Sequence, residues 1–238
     1  MPRSWGSSAA PWRSSRTAGL LLIRAAFALM TRRAMGWAPL GPDDLEQVTQ
    51  MTRNALSLSP DDGEVLARAS TILAHVKREY ELAVGLADRA MAANPNAVVV
   101  TVFVGVGHLH CGSLDTALAG FHRSLALSPI DPQGHVAMTG IAHAQIVRRE
   151  FVTALQWAER SLAVNHNWPP TYWMLIAANA HLGRMEEAHR WLARFLEMQP
   201  GACLAGLVAG QPARFPDRMA NILSGLRLAG LPETPGPG

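Results

Sequence analysis

The stretches ELAVGLADRAMAANP (81–95), DTALAGFHRSLALSP (115–129) and EEAHRWLARFLEMQP (186–200) are three copies of one helical phrase closed by proline. A fourth copy, VTALQWAERSLAVNH (152–166), has His166 in the proline position, and an earlier one, EQVTQMTRNALSLSP, ends at Pro60. The opening small residues are Val48, Ala83, Ala117, Ala154 and Ala188, at intervals of 35, 34, 37 and 34. A period near 34 built on paired helices predicts a solenoid, in which each unit buries its apolar face only against its neighbours.

The spacing predicts first helices at roughly 62–76, 97–111, 132–147 and 169–182. Second helices follow at roughly 80–93, 114–127, 150–164 and 185–198, with another at about 43–57. Asp43-x-x-Glu46 and Asp61-x-x-Glu64 resemble acidic capping boxes. Asp131-Pro132 and Asn167-x-Pro169-Pro170 put proline at a first helical turn, where its missing N–H costs no helical bond. Gly112 and Gly183 stand between paired helices, where a left-handed residue closes the first helix; Lys77-Arg78 and Arg148-Arg149 replace them elsewhere. Val98–Val102 alone would read as a strand, but it fills a first-helix slot, where burial outweighs a small propensity deficit.

Small residues at the start of each second helix and seven positions later (Ala90, Ser124, Ser161) share a face and let helices approach closely. Phe195 breaks that rule, which suggests packing against a non-repeat cap. Ala202–Val208 and Asp217–Leu228, the latter with Met219, Ile222, Leu223 and Leu226 in one stripe, supply such a cap. The expected architecture is all-α, a right-handed α-solenoid of antiparallel helix pairs with a C-terminal capping helix. It comprises four pairs plus partial units at both ends. Residues 1–23 read as a disordered basic leader, 24–41 as a degenerate helix and linker, 42–200 as the array, 201–231 as capping helices and 232–238 as a disordered tail.

Charge is unevenly distributed. The formal net charge is +3, yet residues 1–41 hold six Arg and no acid, which leaves 15 basic against 18 acidic side chains in the rest. A nucleic-acid surface would need basic residues clustered on the folded face, so direct nucleic-acid binding is not expected. Ala18–Met30 is too short an apolar run to span a bilayer and is interrupted by Arg24. As a signal segment it would offer Ala26-Phe27-Ala28 for cleavage and imply export. The favoured reading makes Arg24–Trp37 a worn repeat helix in a cytoplasmic protein, where Cys111 and Cys203 stay reduced.

The pattern over about 42–200 resembles tetratricopeptide repeats. A narrower resemblance rests on Asn94-Pro95-Asn96-Ala97, Leu127–Pro132, Leu182-Gly183-Arg184, Leu226-x-x-Ala229–Pro232 and Gly36-Trp37. These resemble the C-terminal half of bacterial regulators in which a class III adenylate cyclase or winged-helix domain precedes the repeats. That resemblance implies bacterial signalling or regulation. No catalytic or DNA-binding residue carries over, because residues 1–40 contain no acid and leave no room for either domain. The chain then reads as the repeat half alone, either a truncated gene or a stand-alone partner.

Repeat arrays of this kind bind partners along the groove lined by first helices. The register puts Arg68, His75, Val102, Val106, His110, Thr139, His143, Trp173 and His181 there, with Ile72, Val99, Leu109 and Ile146. Such a groove, apolar and nearly free of Lys and Arg, suits an apolar helix or a neighbouring domain as protein partner. The competing reading is that superhelical curvature buries these side chains against each other. An alternative function is a vestigial sensory half that binds a small effector. No cofactor or metal is expected: His108 and His110 do not share a helix face, and His108 with Cys111 falls short of a zinc ligand set. The chain is not expected to be an enzyme, since it has no phosphate loop, GxSxG or HExxH, and Asp61-Asp62 and Glu186-Glu187 sit at helix starts.

Overall fold

The computed structural model describes residues 11–212 and 214–235, all helix and connection with no strand among them. Five antiparallel pairs run in order: α1 (Pro11–Ala34) with α2 (Asp44–Leu58), α3 (Gly63–Ile72) with α4 (Tyr80–Ala93), and α5 (Val98–Cys111) with α6 (Leu114–Leu127). The last two are α7 (Gly134–Val147) with α8 (Phe151–Val164), and α9 (Pro169–His181) with α10 (Met185–Met198). The short α11 (Leu204–Gly210) and α12 (Asp217–Leu228) follow.

The proline phrase has a conformational cause. Proline excludes helical backbone at the residue before it. Ser59, Asn94, Ser128 and Gln199 accordingly leave the helix at φ between −150° and −137°. Asn165 makes the same exit at φ −145° without a proline after it. The freed carbonyls then tie units together. Arg89 of α4 donates to the Pro60 carbonyl at 2.9 Å, and Arg123, one repeat later, donates to the Pro95 carbonyl at 2.7 Å.

The small residues assigned to the helix contacts are buried: Ala83, Ala117, Ala154, Ala188, Ala90 and Ser161 are all at 0 % exposure. Phe195, the exception in that row, is equally buried. The Val98–Val102 run is helical, as its repeat slot requires.

The N-terminus departs from the expected leader. Helix starts at Pro11 and passes without a break through the stretch read as disordered to residue 23, while residues 1–10 lie outside the described part. The reason is burial on two sides: Ile23 and Ala26 are fully buried, and Arg16 and Arg24 reach Asp62 and Glu64 at 2.8 and 2.9 Å. The partial N-terminal unit is thus a complete fifth pair. Ala18–Met30 lies within its first helix, and no described helix is long and apolar enough to cross a membrane.

Several boundaries move for local reasons. The first helix at 62–76 is α3 plus a turn of π-helix, Leu73–Lys77, ending on Arg78 at φ 59°. Arg149 takes φ 64°, so both arginine turns adopt the left-handed conformation without glycine; Gly183 adopts it too, at φ 72°. Gly112 does not (φ −128°). The capping boxes shift: Asp62 rather than Asp61 caps α3, accepting from Glu64 and Val65 N–H. Asp43 makes no side-chain cap, and Asp44 turns back to accept from Leu40 and Gly41 N–H. Pro132 lies before α7, whose helix starts at Gly134, whereas Pro169 and Pro170 do open α9.

The largest correction concerns the cap. An end cap would lie on α9 and α10; α12 lies instead on α7 and α9, two first helices. It therefore crosses the concave face. The tail does not hang free at its start, since Pro232 and Glu233 carbonyls accept from Leu204 and Ala205 N–H; residues 236–238 lie outside the described part.

Candidate functional site

The concave face is built by first helices that are apolar almost all round. In α5 the sequence VVVTVFVGVGHLH is apolar on most of its circumference, and from Val100 to Cys111 every residue except Val106 is buried. Neighbouring first and second helices, α3, α4, α6 and α7, bury it, and the C-terminal segment reaches only its end, through Arg218 on the Gly112 carbonyl.

That segment is a strap over the C-terminal ends of the first helices. Arg78, just past the π-helical turn that ends the first helix of the second pair, donates to the Gln211 carbonyl. Arg218 donates to the Gly112 carbonyl at 3.1 Å, and Asn221 to the Ile146 carbonyl at 3.1 Å. The Gly112 carbonyl lies past the end of α5, beyond the reach of an intrahelical donor, whereas the Ile146 carbonyl already accepts from Arg149 N–H and takes Asn221 as a second donor. In the other direction, His143 Nε2–H donates to the Arg218 carbonyl and His181 Nε2–H to the Asn221 carbonyl, both at 2.7 Å. Gly225 permits the close approach: a Cβ there would lie 2.6 Å from Ala177 Cα. At the other end of the array Gln211 donates to the Ala34 carbonyl of α1 at 3.1 Å.

Between strap and first helices remains a cavity of about 230 Å³, reached by residues of all five first helices. His75, Val106, His110, Thr139, His143 and Trp173 line it, so six of the nine residues assigned to the groove converge there. The other three do not. Val102 turns into a cluster with Ala117, Phe121 and Ile141. His181 is taken up by Asn221 and Ser224 of α12 and stacks on Phe151. Arg68 lies over the Phe103 and Phe27 rings, 4.4 and 5.0 Å from their centres, and pairs with Glu64. Burial pushes the Glu64 carboxyl up, but hydrogen bonds from Arg24 and Arg68 outweigh it and hold it below its ordinary range. Burial lowers the Arg68 guanidinium despite Glu64.

His75, His110 and His143 form a row with ring centres 5.2 and 5.6 Å apart, each edge to face. Burial drives His75 and His143 down to about 4 and His110 well below the ordinary imidazole value, and neighbouring positive charges push the same way. All three are neutral at pH 7. Among the described residues no group of three His, Cys, Asp or Glu could hold a metal ion. Thr139 joins a buried hydroxyl triangle with Ser161 and Thr171 (2.8–2.9 Å), which locks α7, α8 and α9 together.

Sequence reasoning missed the α1 wall, Phe27, Met30, Thr31 and Ala34, with Met35 just beyond it. It also missed the strap residues Gln211 and Met219 as lining groups. The Met219–Leu226 stripe signalled a buried face but not which surface buries it. Cys111 and Cys203 are both buried and unpaired, and burial raises the Cys111 thiol to about 11.

No family model matches this chain, and no curated protein matches it. Solved structures do. A Pseudomonas aeruginosa pilF structure has a TM-score of 0.61 at 15 % identity, covering 89 % of this chain and 90 % of that one. PilW, described as a type IV pilus biogenesis factor, has 0.61 at 19 %, covering 89 % and 88 %. TTC0263, a tetratricopeptide protein of Thermus thermophilus, has 0.60 at 15 %, covering 91 % and 99 %. The fold is therefore an all-α solenoid of tetratricopeptide type. None of these likenesses points to a cyclase or winged-helix relative.

Proposed function

We propose that this chain is a non-catalytic scaffold that binds proteins by accepting an apolar helix, or a helix of a neighbouring domain, on its concave face. The observation that carries this reading is α12 itself. It packs on α7 and α9 in the helix-in-groove manner, with Met219, Ile222 and Leu226 buried. A surface that holds one amphipathic helix by burial and by helix-end carbonyls has the shape and the donors and acceptors for another. Cytoplasmic residence fits the two buried thiols, and cleavage after Ala28 would remove most of a helix that the fold uses from Arg16 onward. A role in bacterial signalling rests on the sequence resemblance.

The test is binding in trans. Gly225→Leu should force α12 out of the groove, and a synthetic peptide of residues 214–231 should then bind the variant but not the native chain, whose groove is filled. A folded variant, by circular dichroism, that ignores the peptide would refute the reading.

A further inference from the structure

The cavity beneath the strap has a chemistry of its own. Its lining includes no Lys, Arg, Asp or Glu. Three of its histidines have a tautomer fixed by backbone carbonyls, which accept only from N–H; in His135 Nδ1 donates to the Pro132 carbonyl at 3.1 Å and Nε2 already accepts from Asn165. His75 Nδ1 is 2.8 Å from the Thr71 carbonyl, so Nδ1 carries the proton and Nε2 is left as an acceptor. His143 Nε2 is 2.7 Å from the Arg218 carbonyl, so Nε2 carries the proton and Nδ1 is left as an acceptor. Between the two rings His110 is 8 % exposed and its Nδ1 has no hydrogen-bond partner; nor has Nε1 of Trp173, which is 3 % exposed.

Unpaired buried polar atoms cost about 1–3 kcal/mol each, so a wall with two of them and two further acceptors favours a molecule that pairs with them. Much of the remaining wall is apolar, with Met30, Phe103, Val106, Leu109 and Met174, and its other polar members are Thr31, Thr71, Gln133, His135, Thr139 and Gln211. Access runs past Phe27, Val106, Val136 and Trp168, which are only partly buried. An engineered cavity of roughly 150 Å³ lined by apolar side chains takes up benzene, so this larger one has room for a two-ring molecule.

We propose that this cavity is a binding site for an uncharged, largely apolar small molecule bearing a hydroxyl group, which donates to an acceptor nitrogen of the His75–His110–His143 row. The hydroxyl oxygen in turn can accept from the Trp173 indole N–H. A carboxylate is disfavoured because the wall itself carries no Lys or Arg, the guanidinium groups of Arg78 and Arg218 facing the row from outside it. The site lies beneath α12 on the same concave face and is complete with α12 in place, Met219 of α12 forming part of its wall.

The test uses the full native chain and three probes of one shape, followed by equilibrium dialysis at pH 7: 2-naphthol, naphthalene and 2-naphthoate. One hydrogen bond corresponds to roughly five- to ten-fold in affinity. We expect 2-naphthol to bind at one per chain, about that much tighter than naphthalene, with 2-naphthoate weakest. His75→Phe keeps the ring volume and should shrink the naphthol advantage while naphthalene binding stays. Val106→Trp, at a partly exposed position, should block both. Equal binding of naphthol and naphthalene by the native chain would overturn the hydroxyl assignment. Absence of saturable binding of any probe, or binding unchanged by Val106→Trp, would overturn the site.

Discussion

His143 of α7 donates from Nε2 to the Arg218 carbonyl of α12 across 2.7 Å, and its ring stands edge to face with His110 at 5.6 Å. The strap is therefore fastened through a histidine that burial keeps neutral. His75 faces Arg78, His143 faces Arg218, and His110 faces both other rings and Arg218. Each of these folded-state values lies below the unfolded one, so between pH 6.5 and about 4 the unfolded chain binds more protons. Stability is full above pH 6.5 and falls as pH is lowered through that window, by at least roughly a few kcal/mol for the row. Urea denaturation at pH 7, 5.5 and 4.5 should follow that slope, and His143→Gln should flatten it. A stability independent of pH across the window would count against a buried neutral row.

Gly225 and Gly85 make opposite predictions for one substitution. Gly225→Ala places a Cβ 2.6 Å from Ala177 Cα and should destabilise by about 1–3 kcal/mol, because backbone must move. Gly85 lies on α4, and the Cβ that alanine would add there meets nothing within 4 Å. Gly85→Ala should therefore stabilise by roughly 0.5–1 kcal/mol. Thermal melts of the two variants with the same sign would contradict the packing of α12.

Ala154 opens α8 with no exposure, whereas Val152 two residues earlier is 53 % exposed. Ala154→Leu overpacks the contact within the pair and should cost roughly 1–3 kcal/mol, while Val152→Ala should change stability little. Unchanged stability in Ala154→Leu would refute the register.

Arg149 is exposed and holds φ 64° at the turn between α7 and α8. A left-handed backbone costs a side chain roughly 1–2 kcal/mol, only partly offset by the extra freedom glycine has when unfolded. Arg149→Gly should therefore raise stability by roughly 0.5–1 kcal/mol, read from denaturant midpoints.

The array was legible because its rule is local. A proline fixes the residue before it, a small residue seven positions from another sets the approach of two helices, and both recur at one spacing. The α1 helix was hidden because Arg3–Arg33 with no acid reads as unpaired charge. Only the fold brings Asp62 and Glu64 alongside Arg16 and Arg24. Six of the nine groove residues line one cavity, since residues on one helix face point one way. The cover on that groove is a long-range matter: nothing near residues 217–228 names α7 and α9 as their partners.

Hydrogen exchange on the full native chain tests the central claim, that the concave face holds a helix, most directly. Amides of 217–228 should be protected to the same degree as those of α9, and Gly225→Leu should release 217–228 while α3–α10 keep their protection. Unprotected exchange of 217–228 in the native chain, with the array itself protected, would contradict it.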